Sequence, residues 1–171
     1  MPFNTRTVQS ALQSVLATAN TTTAANDLSA SLVRRVQIVE MGRPANRPLA
    51  QFQLPAVLVY AKDKDENYDE LGGGTGTRRR IITHFGVLCA VMASPFEGGA
   101  TQRGHDQVEE QLITLTTNVE TVLRNDINLS ATVSFQRPMN TEYHASVEGI
   151  ATESTYVDAA IVTVEAESVS D

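Results

Sequence analysis

The sequence predicts an α+β fold, in which a mainly antiparallel β-sheet carries two α-helices on one face and a long hairpin arm. Apolar residues recur at helical spacing in residues 4–19 and 105–125. Apolar and polar residues alternate in several shorter segments. Because these segments follow in the order helix, strands, helix, strands, the pattern is typical of an α+β domain.

The composition predicts a single domain over residues 1–171, with 42% apolar residues to fill one core. The net charge of −7 and the presence of only two lysines argue against a protein that coats nucleic acid. The lone cysteine rules out an intrachain disulfide. No secretion signal and no run of roughly 18 apolar residues is found, so we expect a soluble protein made in a cytoplasm.

The first predicted helix covers residues 4–19, with Val8, Leu12 and Leu16 on one face and Asn4 or Thr5 as its cap. Strands are predicted over two segments that follow it, residues 33–40 and 54–62. The segment between them, residues 42–48, contains two prolines and two arginines and is predicted to be a loop.

The segment DELGGGTGTRRR raises the question of a phosphate-binding loop. A P-loop needs a lysine after its glycines and a helix behind them, whereas here the lysine is missing and a strand follows. We therefore interpret residues 62–80 as a flexible hairpin arm. Its outgoing side, KDKDENYDE, is acidic and is predicted to be a solvated loop. Arg78, Arg79 and Arg80 lie on the returning side.

The second half of the chain begins with the longest predicted strand, residues 79–93, which is apolar on both faces near its end and should be central. A flexible loop is predicted over residues 94–104. The helix over residues 105–125 should carry two glutamates in its first turn and an arginine in its last. The remaining strands are predicted over residues 131–136, 145–150 and 157–167.

The helix over residues 105–125 should form the core against the sheet. Its apolar stripe is predicted to pack on alternating residues of the central and last strands. The predicted helix contacts are Leu112, Leu115, Val119 and Val122, and the predicted sheet contacts are Phe85, Val87 and Val162.

The sequence contains no recognisable catalytic motif. His84, His105 and His144 lack the spacing of a metal site, and Cys89 in the middle of a strand is expected to be a buried, inert thiol. Neither a serine nucleophile elbow nor a zinc-protease motif occurs. We therefore predict that the protein is not an enzyme and has no cofactor or metal.

The order of the predicted elements and the residue patterns within them resemble those of the tail terminator, or tail completion, proteins of long-tailed bacteriophages. The resemblance extends from residue 8 to about residue 167, while residues 28–47 and 138–154 have no clear counterpart. The matching segments are TVQSALQSVLATA, LPAVLVYA, RRRIITHFGVLCAVMA, VEEQLITLTTNVETVLRNDINLSATV and DAAIVTVEAES.

The resemblance implies an α+β subunit of a six-fold ring in the virion, assembled in the host cytoplasm. Such a ring caps the tail tube, stops its polymerisation and provides the docking face for the head. The expected partners are other copies of the chain, the tube protein and a head-completion or neck protein. Genome DNA would pass through the ring without specific binding, and an acidic chain is suited to that passage. The expected subunit or tube interface consists of Lys62, Lys64, Arg78, Arg79, Arg80, Arg43, Arg47, Phe96 and Arg103.

Two alternatives remain open on the sequence. A head-completion or neck connector protein also forms a ring and needs flexible arms. A protein of another class, a small acidic enzyme or nucleotide-binding protein, would need a pocket under the glycine-rich loop. Neither the loop lysine nor the histidine–carboxylate pair expected of that class is evident in the sequence.

Overall fold

The described residues of the protein form one mixed sheet with two helices. The structure, a computed structural model, describes residues 4–43, 49–50, 53–70, 77–92, 102–144 and 157–170. Its elements are α1 (Thr5–Ala19), β1 (Ile38–Met41), β2 (Ala56–Glu70), β3 (Thr77–Met92), α2 (Gln102–Asn125), β4 (Phe135–Tyr143) and β5 (Val157–Ser170).

The sheet has the strand order β1-β2-β3-β5-β4. β1 runs parallel to β2, and the other neighbouring strands are antiparallel. The prediction of a mainly antiparallel α+β fold is confirmed, and β3 is the central strand, as its two apolar faces indicated. β4 forms one edge, which explains how it accommodates Pro138, a residue with no backbone donor for a further strand.

Both helices pack on the same face of the sheet, which we call the helix face. Asn4 caps α1 by accepting a hydrogen bond from the backbone of Arg6 at 2.9 Å. The predicted core is confirmed, because all seven predicted contacts are buried in one apolar cluster between the helices and the sheet. They are Leu112, Leu115, Val119, Val122, Phe85, Val87 and Val162.

The opposite face of the sheet, which we call the open face, carries a smaller apolar cluster at one end. Leu58 and Leu88 lie opposite each other on β2 and β3, and both are buried. Leu49 and Leu54, which precede β2, pack on the same cluster. The sheet is therefore apolar on both faces at this end.

The strand predicted over residues 33–40 is shorter than expected, since β1 begins only at Ile38. Side chains occupy the backbone groups that a neighbouring strand would need. Asn20 donates to the carbonyl of Val36 at 3.0 Å, and the hydroxyl of Ser29 accepts from its N–H, also at 3.0 Å. The segment before β1 is therefore irregular chain, of which Val36 is buried in the core.

The predicted hairpin is confirmed, but its acidic side, which was predicted to be a solvated loop, is the second half of β2. Pairing with β3 continues to Glu70 opposite Thr77, so residues 62–70 and 77–80 form a regular hairpin. An ion pair between Arg79 on β3 and Glu66 on β2 joins the two strands in this part of the sheet, and cross-strand pairs of opposite charge stabilise a sheet. The glycine-rich residues 71–76 lie outside the described residues.

Further element boundaries differ from the predictions; β4, for example, continues to Tyr143 instead of ending at residue 136. α2 begins at Gln102, so Glu109 and Glu110 lie beyond its first turn. β4 begins at Phe135 rather than at residue 131, because residues 129–131 adopt positive φ angles of 47°, 55° and 68° and form a turn. β5 extends to Ser170. The strand predicted over residues 145–150 lies outside the described residues.

Candidate functional site on the open face

The open face changes from apolar to charged along the strands. Beyond its apolar cluster, neighbouring strands place ionisable side chains beside one another. We call this group the charged band; it consists of Lys62, Asp63, Asp65, Arg80, His84, Arg137, Glu165 and Glu167. It contains four carboxylates together with lysine, arginine and histidine side chains, and several of these opposite charges are in contact. The surface is therefore polar but largely self-neutralised.

The pairing of strands brings the band together from distant parts of the sequence. His84 on β3 lies opposite Asp63 on one side and Glu165 on the other. Arg137 on β4 lies opposite Glu165. An irregularity in β2 between Ala61 and Asp63 shifts the register by one residue. Without that shift Asp63 would face the helices, because side chains alternate along a strand.

His84 is the centre of the charged band. Its Nδ1 contacts a carboxylate oxygen of Asp63, and its Nε2 lies 3.5 Å from Oε2 of Glu165. The hydrogen bond with Asp63 raises the pKa of His84 above its ordinary value; partial burial opposes the increase, and the charge of Asp63 and contact with Glu165 add to it. The band therefore holds a basic imidazole between two carboxylates.

Three further basic side chains of the band also have polar partners. Arg137 lies 3.1 Å from the second oxygen of Glu165, and Arg80 donates to Glu167 at 2.8 Å. The ammonium group of Lys62 donates to the hydroxyl of Thr163 at 3.3 Å. These bonds connect β2, β3, β4 and β5 across the face, so they position the side chains as well as neutralise them.

Between the band and the apolar cluster lies an aromatic contact. The ring of Tyr60 covers Gly86, where a side chain would meet it, and the guanidinium of Arg43 lies 5.6 Å from the ring centre. Burial raises the pKa of the Tyr60 hydroxyl, while nearby Arg43 lowers it and Glu142 raises it. A glycine at position 86 lets the ring lie flat on the sheet.

The helix face of the hairpin carries a separate charged triad, consisting of Lys64, Glu66 and Arg79. Arg79 donates to Glu66 at 2.5 Å, and Lys64 contacts the other oxygen of the same carboxylate. Hydrogen bonds from Lys64 and Arg79 hold the pKa of Glu66 below its ordinary value, against a small opposing effect of burial.

The residues predicted for the interface are therefore divided between the two faces. Lys62 and Arg80 belong to the charged band, whereas Lys64 and Arg79 belong to the triad. Arg43 lies beside the band and donates to the carbonyl of Ala61 at 3.3 Å. Arg47 and Phe96 lie outside the described residues, as do the side chains of Arg78 and Arg103.

The sequence did not reveal the metal-ligating potential of the band. Ligand atoms of Asp63, Asp65 and His84 all lie within 4.8 Å of one another. The spacing of these residues follows no local motif, because the histidine is on a different strand from the carboxylates. The alternation of Asp63, Lys64 and Asp65 in a hairpin was the available signal, and it needed the strand register to be useful.

Two other reactive side chains are accounted for by their surroundings. Cys89 is buried, and burial raises the pKa of its thiol well above the ordinary range, as expected for an inert side chain. His144 contacts Asp158 at 2.5 Å, at the other end of β5, and Asp158 also accepts from the backbone N–H of Ala159.

One depression of about 390 Å³ lies between the two helices. Its lining includes Ser14, Thr18 and Val122. Asp126 is the one ionisable residue of the lining, and it accepts a hydrogen bond from the N–H of Ser130 at 3.0 Å. A single bonded carboxylate offers no acid–base pair for catalysis.

No protein-family model and no curated protein sequence matches the chain. Within the described part of the chain, neither helix is long and apolar enough to cross a membrane.

Proposed function

We propose that the protein is the subunit of a ring that caps the tail tube of a long-tailed bacteriophage. In this role it stops tube polymerisation and presents a docking face to the head or neck. The proposal rests on the resemblance of the segment order to tail terminator proteins, and the ring is formed by six copies in that family.

The observation that carries the proposal is the β2–β3 hairpin. Its two strands have 15 and 16 residues. Along the sequence, the hairpin lies between the two helices, and both helices pack on the same face of the sheet. Two of the five segments that carry the resemblance contribute to this hairpin: LPAVLVYA contains the start of β2, and RRRIITHFGVLCAVMA contains nearly all of β3. A long hairpin with charges on both faces is suited to contacting another protein.

The edges of the sheet support assembly by unlike contacts. One edge is β1, which has four residues and pairs in parallel, and the other is β4, which has nine residues and pairs antiparallel. Two copies joined through these edges would present different surfaces to each other. Contacts of this head-to-tail kind produce a closed ring when the rotation between copies closes.

The test is capping of tail tubes. The purified protein is mixed with the tube protein of the phage that encodes it, and tube lengths and ends are measured by electron microscopy. We expect a ring of density at one end of each tube and an arrest of growth. Unaltered growth with bare ends would contradict the proposal. Binding to the head connector alone would favour a neck protein, and a thermal shift with nucleotides would favour the other class.

A further inference from the structure

We propose that Asp63, Asp65 and His84 form a binding site for a divalent transition-metal ion of the zinc class. The site lies on the open face, at the irregularity where the hairpin leaves the apolar part of the sheet. It is independent of the proposed ring, because its three ligands belong to one chain.

The geometry requires only small movements of exposed side chains. Asp63 and Asp65 are two residues apart, so both carboxylates point to the open face, while Lys64 between them contacts Glu66 on the helix face. Zinc ligands lie about 2.0–2.2 Å from the ion, which places two of them up to about 4 Å apart. The present separations within 4.8 Å therefore close by rotation of the aspartates, and Asp63 is 61% exposed.

The ligand types favour a transition metal over magnesium or calcium. An imidazole nitrogen suits zinc, copper, iron and nickel, whereas magnesium and calcium prefer oxygen ligands. Catalytic zinc sites commonly have three protein ligands and leave a fourth position for water. Three ligands on an exposed face leave such a position here.

A second observation concerns the far side of the imidazole. Glu165 is only 15% exposed, its Oε2 lies 3.5 Å from Nε2 of His84, and Arg137 holds its other oxygen at 3.1 Å. A metal-bound histidine ordinarily donates its second ring N–H to a carboxylate, which fixes the ring and increases its basicity. Nδ1 of His84 is then the metal ligand, on the side where both aspartates lie.

Calorimetric titration of tag-free protein with zinc chloride tests the site. We expect one equivalent to bind, with no comparable binding of magnesium. His84→Gln and Asp65→Asn should each weaken zinc binding at least about tenfold, and Glu165→Gln about tenfold through loss of its support of the imidazole. His144→Gln is the matched control, because His144 also contacts a carboxylate but lies outside the cluster; it should leave the affinity unchanged.

The thermal midpoint gives a second measurement. Zinc at about 100 times its dissociation constant should raise the midpoint of the wild-type protein by about 5 °C or more. Asp65→Asn alters an exposed side chain and keeps the fold, so this variant remains informative if His84→Gln is unstable. Absence of zinc binding, or equal binding by the wild type and Asp65→Asn, would overturn the assignment and leave an ion pair between His84 and Asp63.

Discussion

The helix face and the open face of the sheet are built from the same strands, but different interactions dominate on each. On the helix face, Phe85 and Val87 lie in a continuous apolar cluster with α1 and α2. On the open face, the same strand presents His84 to a network of ion pairs. Burial of apolar surface contributes far more to stability than exposed ion pairs do. Most of the stability therefore comes from the helix face, and the charged band of the open face contributes little to it.

The largest expected effect is on the helix face. Leu115→Ala should reduce the free energy of unfolding by about 2–5 kcal/mol, because Leu115 is fully buried and its truncation leaves a cavity. Ile113→Ala on the same helix is the matched control, since Ile113 is 45% exposed and should cost less than about 0.5 kcal/mol. Urea denaturation measures both variants. Equal losses would remove the distinction between the buried and the exposed sides of α2.

A smaller loss is expected where the open face is tightly packed. Gly86→Ala should cost about 1–3 kcal/mol, because the new methyl group would meet the ring of Tyr60, 2.6 Å from its hydroxyl oxygen. In a Tyr60→Ala background the same substitution should cost much less, and urea denaturation of the four proteins gives the coupling. An equal cost in both backgrounds would show that the backbone at position 86, and not the ring, requires glycine.

The sequence predicted the face that is governed by local periodicity. The stripe of α2 includes Leu112 and Leu115, and the alternation of β3 includes Phe85 and Val87; both patterns are complete within one segment, and both are correct. The charged band depends on which residues lie opposite one another. His84 meets Asp63 only because of the register shift after Ala61, and no local pattern contains that shift.

The prediction of a loop for the acidic half of β2 was wrong for a related reason. Aspartate, glutamate, lysine and asparagine are depleted in strands, so KDKDENYDE has the composition of a loop. Pairing with β3 and the contacts of Glu66 with Lys64 and Arg79 determine its conformation instead. The prediction for the segment before β1 was wrong in the opposite sense, because a strand was predicted where the chain is irregular. Side chains of Asn20 and Ser29 occupy backbone groups that a strand would use.

A modest, pH-dependent effect on thermal stability is expected at the ion pair between Asp27 and Arg35, in the segment between α1 and β1. Asp27 accepts two hydrogen bonds from Arg35, at 2.8 and 2.9 Å. The hydrogen bond from Arg35 is the main cause that lowers the pKa of the Asp27 carboxyl. Burial opposes this effect, and the hydrogen bond from the N–H of Ser29 adds to it. Asp27→Asn should lower the thermal midpoint by about 2–4 °C at pH 7.

The pH dependence has a definite sign. A folded pKa below the unfolded value means that the unfolded chain binds the proton more readily, so the contribution of Asp27 is present above the unfolded pKa, about 3.9. It is lost as the pH falls through the lower folded pKa. Thermal denaturation between pH 7 and pH 2.5 should show the two midpoints converging in acid. A difference that grows below pH 4 would contradict this assignment.

The smallest effect on stability, and the largest on assembly, is expected at the hairpin. Replacing Arg78, Arg79 and Arg80 with alanine removes exposed pairs with Glu66 and Glu167, so the circular dichroism spectrum should remain that of the wild type. Ring formation or attachment to the tube should nevertheless be impaired, because arginines of this kind bind carboxylates of a partner in a fixed geometry.

The matched control for the hairpin is Arg124→Ala. Arg124 is also exposed and paired, with Glu120 at 2.8 Å, but it lies at the end of α2 away from the hairpin. Particles complemented with each variant are compared by electron microscopy. If the hairpin variant produced tails of normal length joined to heads, the hairpin would have no role in assembly.

The proposal that this chain forms the cap of a phage tail tube is tested most directly by cryo-electron microscopy of intact particles of the proposed phage. The structure, fitted into the density between tail tube and head, should account for a closed ring of six copies around the DNA channel, with the hairpin in contact with a neighbouring copy or with the tube. A neck with only one or two copies, or with none of this fold, would contradict the account.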